Sequence, residues 1–134
     1  MTGRELYSHF RSINYVRNGR DAEKDGGLDC WGFVRAAWTS LGLPVPPPFL
    51  IDDEELRAVT FQQERRSPEW MRLKRPEPWA LCLISHPSHP AHCGIVADDS
   101  IHVIHLNANG LHFIPLDAFL LRNYDKEYYR YNPR

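Results

Sequence analysis

The spacing of apolar residues changes from helical in the first third of the chain to short strand-like runs later. Between Arg4 and Val16 apolar residues recur at helical spacing, which predicts an amphipathic helix. From Cys30 they recur at i, i+3, i+4 and i+7 as far as Leu41, so a second helix is expected to begin at or just before Cys30. Gly42 should end this helix, and the prolines from Pro44 to Pro48 cannot continue it.

The segments on either side of this helix are mostly polar. Asn18 to Gly27 is predicted to be a loop that leads into the helix. Asp52 to Glu55 is typical of the acidic first turn of a short helix reaching about Gln63, rather than of a cation site. Arg65 to Pro78 is charged and contains proline, which favours a surface connection.

From Trp79 onward the pattern predicts an antiparallel meander, because short apolar runs alternate with turn residues. A last helix and a closing strand follow, and helices before a meander predict an α+β fold. We expect a single domain over residues 1–134. The predicted strands are Trp79 to Ile84, His92 to Ala97, Ile101 to Leu106, Leu111 to Ile114 and the closing Glu127 to Tyr131, with the helix at Leu116 to Leu121.

Composition narrows the classes of partner. The 134 residues are 43% hydrophobic and 25% charged, which is ordinary for a globular domain. A formal net charge of −1 gives no electrostatic reason to expect nucleic acid or an anionic membrane surface as a partner. No run approaches the ~18 apolar residues of a membrane helix, and no signal-peptide core is present, so we expect cytoplasmic synthesis and no membrane association. Three cysteines, an odd number, argue against a disulfide framework.

Cys30 is the candidate nucleophile. Only about 3% of an ordinary thiol is ionised at pH 7, and both a helix N-terminus and a neighbouring imidazole raise that fraction. Asp29 before the cysteine and Gly32 after it are typical of a helix tip that another part of the chain approaches closely. Cys82 and Cys93 lie inside strand patterns, which favours a core position for both.

His92 is the candidate base, at the start of a predicted strand. A third group should accept from its second ring nitrogen and fix its tautomer. Pairing His92 with His105 centres the hairpin on the turn residues near Asp98, so the sequence favours His105 as the orienting residue. Asn107 has the same strand parity and stays open as an alternative, whereas His102 should point away.

Three segments resemble the NlpC/P60 family of small papain-like cysteine peptidases, which act on bacterial cell-wall peptides. The family pattern runs Asp-Cys-Ser-Gly-Phe/Leu-Val, then His-Val-Gly-Ile opening a strand, then a third polar residue, usually histidine, closing the next strand. Residues 29–34 read Asp-Cys-Trp-Gly-Phe-Val, residues 92–96 read His-Cys-Gly-Ile-Val, and residues 103–105 read Val-Ile-His. The order is the unpermuted papain-like one, and the resemblance extends from about Tyr15 to the C-terminus.

The resemblance implies a fold and a catalytic set. The fold would be papain-like, with N-terminal helices and the nucleophile at a helix N-terminus packed on an antiparallel sheet. Cys30 would be the nucleophile, His92 the base and His105 the orienter, with no cofactor and no metal ion required.

The resemblance also implies a substrate-binding set around the nucleophile. The hydroxyl of Tyr15, together with the Cys30 backbone N–H, would face the oxyanion. Asp29 would lie in the pocket that recognises the free amine end of a stem peptide. Trp31 stands where the family usually has serine, so a large ring would replace a small hydroxyl at the substrate pocket.

A biological setting follows from the same resemblance. The substrate would be a peptidoglycan stem peptide, typically cut between D-glutamate and the diamino acid. The Gly-Leu-Asp-Cys-Trp-Gly segment and the Tyr-Tyr-Arg near the chain end resemble tail-assembly members encoded by phages and prophages. Phage tail proteins are therefore expected as further partners, and the protein would act at the cell wall or in the periplasm as part of a virion or after lysis.

Two other interpretations stay open at the sequence level. The first is a structural zinc site, because histidines and cysteines are frequent between Cys82 and His112. Two prolines interrupt the spacing from His86 to His92, so those histidines cannot share one helical face, and no Cys-x-x-Cys occurs. The second is a non-catalytic phage tail assembly or binding module on the same fold, with tryptophans and the prolines after Pro44 supplying an interface.

Overall fold

The computed structural model describes residues 1–46, 68–86 and 89–133, and within these ranges it describes no side chains for residues 86 and 89–91. The predicted helix that starts near Asp52 lies outside the described residues. Part of the turn predicted between the first two strands of the meander also lies outside the described residues. The described elements are α1 Gly3–Phe10, α2 Ala22–Asp25, α3 Cys30–Ser40, β1 Trp70–Leu73, β2 Leu81–His86, β3 His89–Val96, β4 His102–Asn107, β5 Gly110–Pro115, a 3₁₀ helix Phe119–Leu121, and β6 Asp125–Tyr131.

Six antiparallel strands form one sheet in the order β1-β6-β2-β3-β4-β5. Strands β2 to β5 follow one another as hairpins, which confirms the predicted meander and its approximate bounds. The closing strand β6 is also confirmed, and it returns to lie between β1 and β2.

The α+β papain-like prediction, with N-terminal helices packed on the sheet, is wrong for this structure. The described residues form mostly the six-stranded antiparallel sheet, and its helices are few and short, with eight, four and eleven residues. The first helix ends at Phe10 rather than near Val16, because the chain turns at Arg11 and Ser12 and Tyr15 then bridges to Leu28. The polar loop before Cys30 contains the one-turn helix α2.

Two further segments differ from their predicted conformations. Leu116 to Leu121 has the pattern of a helix, but only a three-residue 3₁₀ turn forms, since Ala118 has extended backbone angles. Strand β1 forms inside the segment predicted as a surface connection. Trp70 is buried there and packs on the Tyr131 ring of β6 at a centroid distance of 5.0 Å, so tertiary packing decides the conformation of this segment.

The predicted helix that begins at Cys30 is confirmed, and it determines where the candidate site lies. Helix α3 ends at Ser40, one residue short of Leu41. It packs against β3 and β4, and the larger hydrophobic cluster there includes Phe33 and Ala37 of the helix and Ile95 and Ile104 of the strands. This packing sets the N-terminus of α3 beside the strand that carries His92.

The other face of the sheet carries a second, smaller hydrophobic cluster. It contains Cys82 of β2, Val96 of β3, Val103 of β4 and Leu121 of the 3₁₀ turn. Because successive residues of a strand point to opposite faces, Cys93 and Ile95 face α3 whereas Val96 faces this second cluster.

Candidate active site

The N-terminus of α3 is held in place by two close contacts. The Asp29 carboxylate accepts a hydrogen bond of 2.8 Å from the backbone N–H of Gly32 and so caps the helix. A Cβ added at Gly32 would lie 2.2 Å from the Gly19 carbonyl oxygen, a distance that no side chain tolerates. The expected close approach of another part of the chain to the helix tip is therefore confirmed.

The segment from Asn14 to Gly19 lies against the residues that precede α3. Val16 N–H donates to the Leu28 carbonyl at 2.9 Å, and Leu28 N–H donates to the Asn14 carbonyl at 2.9 Å. This pairing brings half-buried Tyr15 alongside the chain two residues before Cys30. The contribution of the Tyr15 hydroxyl to an oxyanion site stays a prediction.

Asp29 is a fully buried carboxylate with both oxygens engaged. One oxygen caps α3, and the other forms an ion pair with Arg20, a residue that no motif in the sequence singles out. Burial raises the pKa of Asp29, whereas the Gly32 N–H and the Arg20 guanidinium lower it. The structure thus places Asp29 in the framework beneath the nucleophile, and recognition of a substrate amine by this residue stays a prediction.

Cys30 is the first residue of α3 and is half-buried. Its pKa lies well below the ordinary thiol value, because the Cys93 side chain hydrogen-bonds to it and because His92 supplies a charge and a further hydrogen bond. Burial acts in the opposite direction and is outweighed. The surroundings of Cys30 therefore favour its thiolate.

His92 contacts His105, the residue predicted to orient it. Its Nε2 lies 2.9 Å from Nδ1 of His105, and the two rings are nearly perpendicular, at 81°. His105 is 6% exposed, and burial, followed by the nearby His92 and His112, lowers its pKa to about 3. The direction of the hydrogen bond between the two rings depends on their tautomers, and a His105 that burial keeps neutral can accept at Nδ1 from a protonated His92.

The strand register behind this contact differs from the predicted one by two residues. The observed pairs are Ile95 with Ile104 and Val96 with Val103. If that pairing is extended, His105 comes opposite Gly94, and His92 reaches it diagonally. Gly94 has no side chain, and this allows His105 to approach so closely. A Cβ at Gly94 would lie 2.8 Å from the His105 Cβ.

The remaining polar candidates of β4 take other partners. Asn107 accepts from His112 Nε2 at 3.0 Å, so of the two possible orienters it is His105 that contacts His92. His102 points away as expected, binding the Asp99 carboxylate and stacking on Phe113.

A cavity of about 380 Å³ opens beside the two histidines. Histidine and asparagine residues form its polar lining, and aliphatic residues together with Tyr124 form the rest. This combination of a few convergent polar groups with an apolar wall is typical of a small-molecule or peptide site. The lining residues are Ile84, His92, His105, Asn107, Asn109, His112, Ile114, Leu120, Leu121 and Tyr124.

Trp31 lies in the core rather than in this cavity. It is fully buried, and its ring packs edge-on against Trp38 at a centroid distance of 6.4 Å and lies tilted by 45° against Trp70 at 6.3 Å. The Trp31 side chain, next to Cys30 in sequence, therefore anchors α3 in the hydrophobic core. The described structure does not place Trp31 where a substrate would touch it.

Neither a metal site nor a membrane segment is found in the described ranges. No group of three or more histidine, cysteine, aspartate or glutamate side chains there is arranged to hold a metal ion. The side chains of His86 and His89, which the zinc interpretation included, lie outside the described part of the chain. No described helix is long and apolar enough to cross a bilayer.

No protein-family model matches the chain, and no curated protein matches it significantly. A function for this chain is consequently inferred from the geometry around Cys30 and from the motif resemblance.

Proposed function

We propose that this protein is a cysteine hydrolase that cleaves an amide bond in peptidoglycan stem peptides, of the D-glutamate–diamino acid type. The observation that carries the proposal is the chain of contacts from Cys30, at the start of α3, through His92 to His105. A thiol favoured as thiolate, an adjacent imidazole and a buried group that orients that imidazole are the three components of nucleophilic acyl transfer. The NlpC/P60 resemblance of the same residues supplies the substrate class.

The reaction would proceed through an acyl-enzyme. The Cys30 thiolate attacks the carbonyl carbon of the scissile amide, and the tetrahedral oxyanion is expected to face the Cys30 backbone N–H at the start of α3. Protonated His92 then gives its Nδ1 proton to the departing amine, which breaks the C–N bond. In the second half His92 takes a proton from water, hydroxide attacks the thioester, and Cys30 leaves as thiolate.

His105 has a distinct task in this scheme. When His92 is an imidazolium, both of its ring nitrogens donate, and the neutral Nδ1 of His105 accepts one of these hydrogen bonds at 2.9 Å. A charged His105 would instead repel His92. Burial prevents that charge from forming at neutral pH, because it lowers the pKa of His105 to about 3.

The cavity beside the histidines is the proposed position of one side of the substrate. Its polar lining residues include His92, which would reach the leaving amine, and its apolar lining residues include Ile114 and Leu121. A peptide with aliphatic stretches and polar ends suits this lining. A phage or prophage tail setting belongs to the proposal as well, and it depends on the motif resemblance alone.

Mass spectrometry of defined muropeptides and purified sacculi, each incubated with wild type or Cys30→Ala, tests the proposal. Wild type should release products that correspond to one broken stem-peptide bond, and the variant should release none. The thiol is small, so the variant should retain the native circular dichroism spectrum, and Cys82→Ala serves as the matched control. Cleavage by Cys30→Ala above a tenth of the wild-type rate would exclude Cys30 as the nucleophile.

A non-catalytic assembly module is the second candidate, favoured by an exposed apolar pair. Phe119 and Leu120 are 79% and 75% exposed on the 3₁₀ turn beside the cavity. Exposed apolar neighbours of this kind are common at protein interfaces. Absence of cleavage, combined with absence of selective Cys30 alkylation at neutral pH, would favour this candidate over the hydrolase.

A further inference from the structure

His112 is a cavity-lining histidine that has no role in the proposed reaction. It lies in β5 directly opposite His105 of β4 and is half-buried. The two imidazole rings stack, with their centroids 5.1 Å apart and their planes 27° from parallel. Strands β3, β4 and β5 therefore contribute one histidine each to a continuous row, in which His92 contacts His105 at 2.9 Å and His105 stacks on His112.

We propose that His112 is a positioning residue whose ring stacks on His105 and holds it in the orientation that keeps its Nδ1 on His92. The inference rests on the proposed function for its biological meaning, because positioning matters only if His92 acts on Cys30. The effect of the stack on the contact between His92 and His105 is measurable whether or not a substrate is known.

The His105 ring needs this support because it has few polar contacts of its own. Its Nδ1 contacts His92, whereas its Nε2 is buried and has no hydrogen-bond partner among the described residues. A single hydrogen bond fixes one atom of a ring and leaves the plane of the ring free to tilt. Since the terminal torsion of a histidine side chain is broad, packing on the face of the ring is what limits the tilt. The stacked His112 ring supplies such packing.

The turn between β4 and β5 anchors His112 in its turn. Asn107 Oδ1 accepts a hydrogen bond of 2.8 Å from the backbone N–H of Asn109, which identifies this atom as an acceptor, and His112 Nε2 donates to it at 3.0 Å. The His112 ring is thus held by a hydrogen bond that does not involve the catalytic pair. Asn107, which the sequence left open as an orienter of His92, acts in this scheme through the two stacked rings.

The test separates the flat ring of His112 from its nitrogen chemistry. His112→Phe keeps a flat ring without nitrogen, His112→Ala removes the ring, and Asn107→Ala removes only the anchor. His102→Ala is the matched control. His102 lies in the same hairpin, stacks on the Phe113 ring at a centroid distance of 4.7 Å and also bonds to a neighbouring side chain, but it points away from the catalytic pair.

Two readouts follow the contact between the histidines. The ¹⁵N chemical shift of His105 Nδ1, from long-range proton–nitrogen NMR spectra, reports its hydrogen bond with His92. The rate of iodoacetamide alkylation at Cys30, located by peptide mapping, reports how well His92 activates the thiol. Near-ultraviolet circular dichroism checks the fold of every variant. If His112→Ala does not fold, His112→Thr replaces it, since threonine suits a strand but has no ring.

Loss of the ring should weaken the contact, and a flat replacement should restore it. A displacement of about 1 Å in an active site can cost ~100-fold in rate, and His105 without its stack should keep the contact for part of the time. We therefore expect His112→Ala to lower the alkylation rate of Cys30 at pH 7 by about tenfold and to move the His105 Nδ1 shift.

The other variants should rank according to how much of the stack they keep. His112→Phe should stay within about twofold of wild type, because its ring still stacks, and Asn107→Ala should fall between His112→Phe and His112→Ala. His102→Ala should match wild type. An unchanged shift and alkylation rate in natively folded His112→Ala would overturn the proposal, as would equal losses in His112→Phe and His112→Ala.

The outcomes also separate this inference from the proposed function. If wild type cleaves no muropeptide, but His112→Ala moves the His105 shift and His112→Phe restores it, the positioning role stands and the hydrolase proposal fails. If wild type cleaves muropeptides, and both readouts in His112→Ala equal those of wild type, the hydrolase stands and the role of His112 is refuted.

Discussion

Replacing His105 with glutamine should make the protein less sensitive to acid. His105 is 6% exposed, and its pKa is about 3 in the folded protein, whereas an unfolded chain binds the same proton near pH 6.5. Between these two values the unfolded state binds a proton that the folded state does not. The folded state therefore loses stability as the pH falls from about 6.5 towards 3, and the loss is absent above pH 6.5.

The size of the effect follows from the same two values. Each pH unit below 6.5 costs the folded state about 1.36 kcal/mol until the folded pKa is reached. At pH 5 the difference is 1.5 units, so His105 should cost about 2 kcal/mol, and near pH 3 the cost should approach about 5 kcal/mol. Since small domains are stable by only about 5–15 kcal/mol, this one residue is expected to influence acid unfolding visibly.

Urea unfolding at pH 7 and at pH 5, followed by tryptophan fluorescence, measures the difference directly. From pH 7 to pH 5 wild type should lose about 2 kcal/mol more free energy of unfolding than His105→Gln loses. His9→Gln, at an exposed position of α1, is the control and should behave as wild type does. Equal losses in wild type and His105→Gln would refute the idea that His105 is buried as a neutral acceptor.

The other predictions concern the catalytic pair and the helix tip. His92→Ala should lower the rate of muropeptide cleavage more than His105→Ala does, because His92 moves protons whereas His105 orients it; a larger loss in the His105 variant would reverse these roles. Gly32→Ala should lower stability by about 1–3 kcal/mol by forcing its Cβ against the Gly19 carbonyl. A Cβ at Gly42 would meet open space, but the backbone there has a φ of +71°, so Gly42→Ala should lower stability by about 1 kcal/mol. If thermal unfolding shows Gly42→Ala to be more destabilising than Gly32→Ala, the steric explanation for Gly32 is contradicted.

The local elements near the candidate site could be predicted from the sequence because each carries its own signal. Helical spacing and a capping aspartate predict where α3 begins, and Gly32 predicts a close approach at that point. Alternating strands and turn residues predict the meander, and strand parity predicts that His105 rather than His102 faces His92.

The elements that the sequence did not predict depend on distant partners. Strand β1 forms because Trp70 packs against Tyr131, which is sixty-one residues away in the chain. Arg20 has no local signal that would place its guanidinium on a buried carboxylate, and the two-residue change of register depends on how β4 crosses Gly94. Composition and spacing contain no information on such contacts, so the overall balance of sheet and helix was predicted wrongly.

The thiolate fraction of Cys30 is the quantity that tests the central claim most directly. Absorbance at 240 nm, titrated from pH 3 to pH 10 for wild type and Cys30→Ala, isolates the ionisation of this thiol in the difference between the two curves. We predict a step for Cys30 well below the ordinary thiol range near pH 8.5–9, and a step that moves towards that range in His92→Ala. A Cys30 step at or above the ordinary range, unaffected by His92→Ala, would contradict the account of this residue as an activated nucleophile.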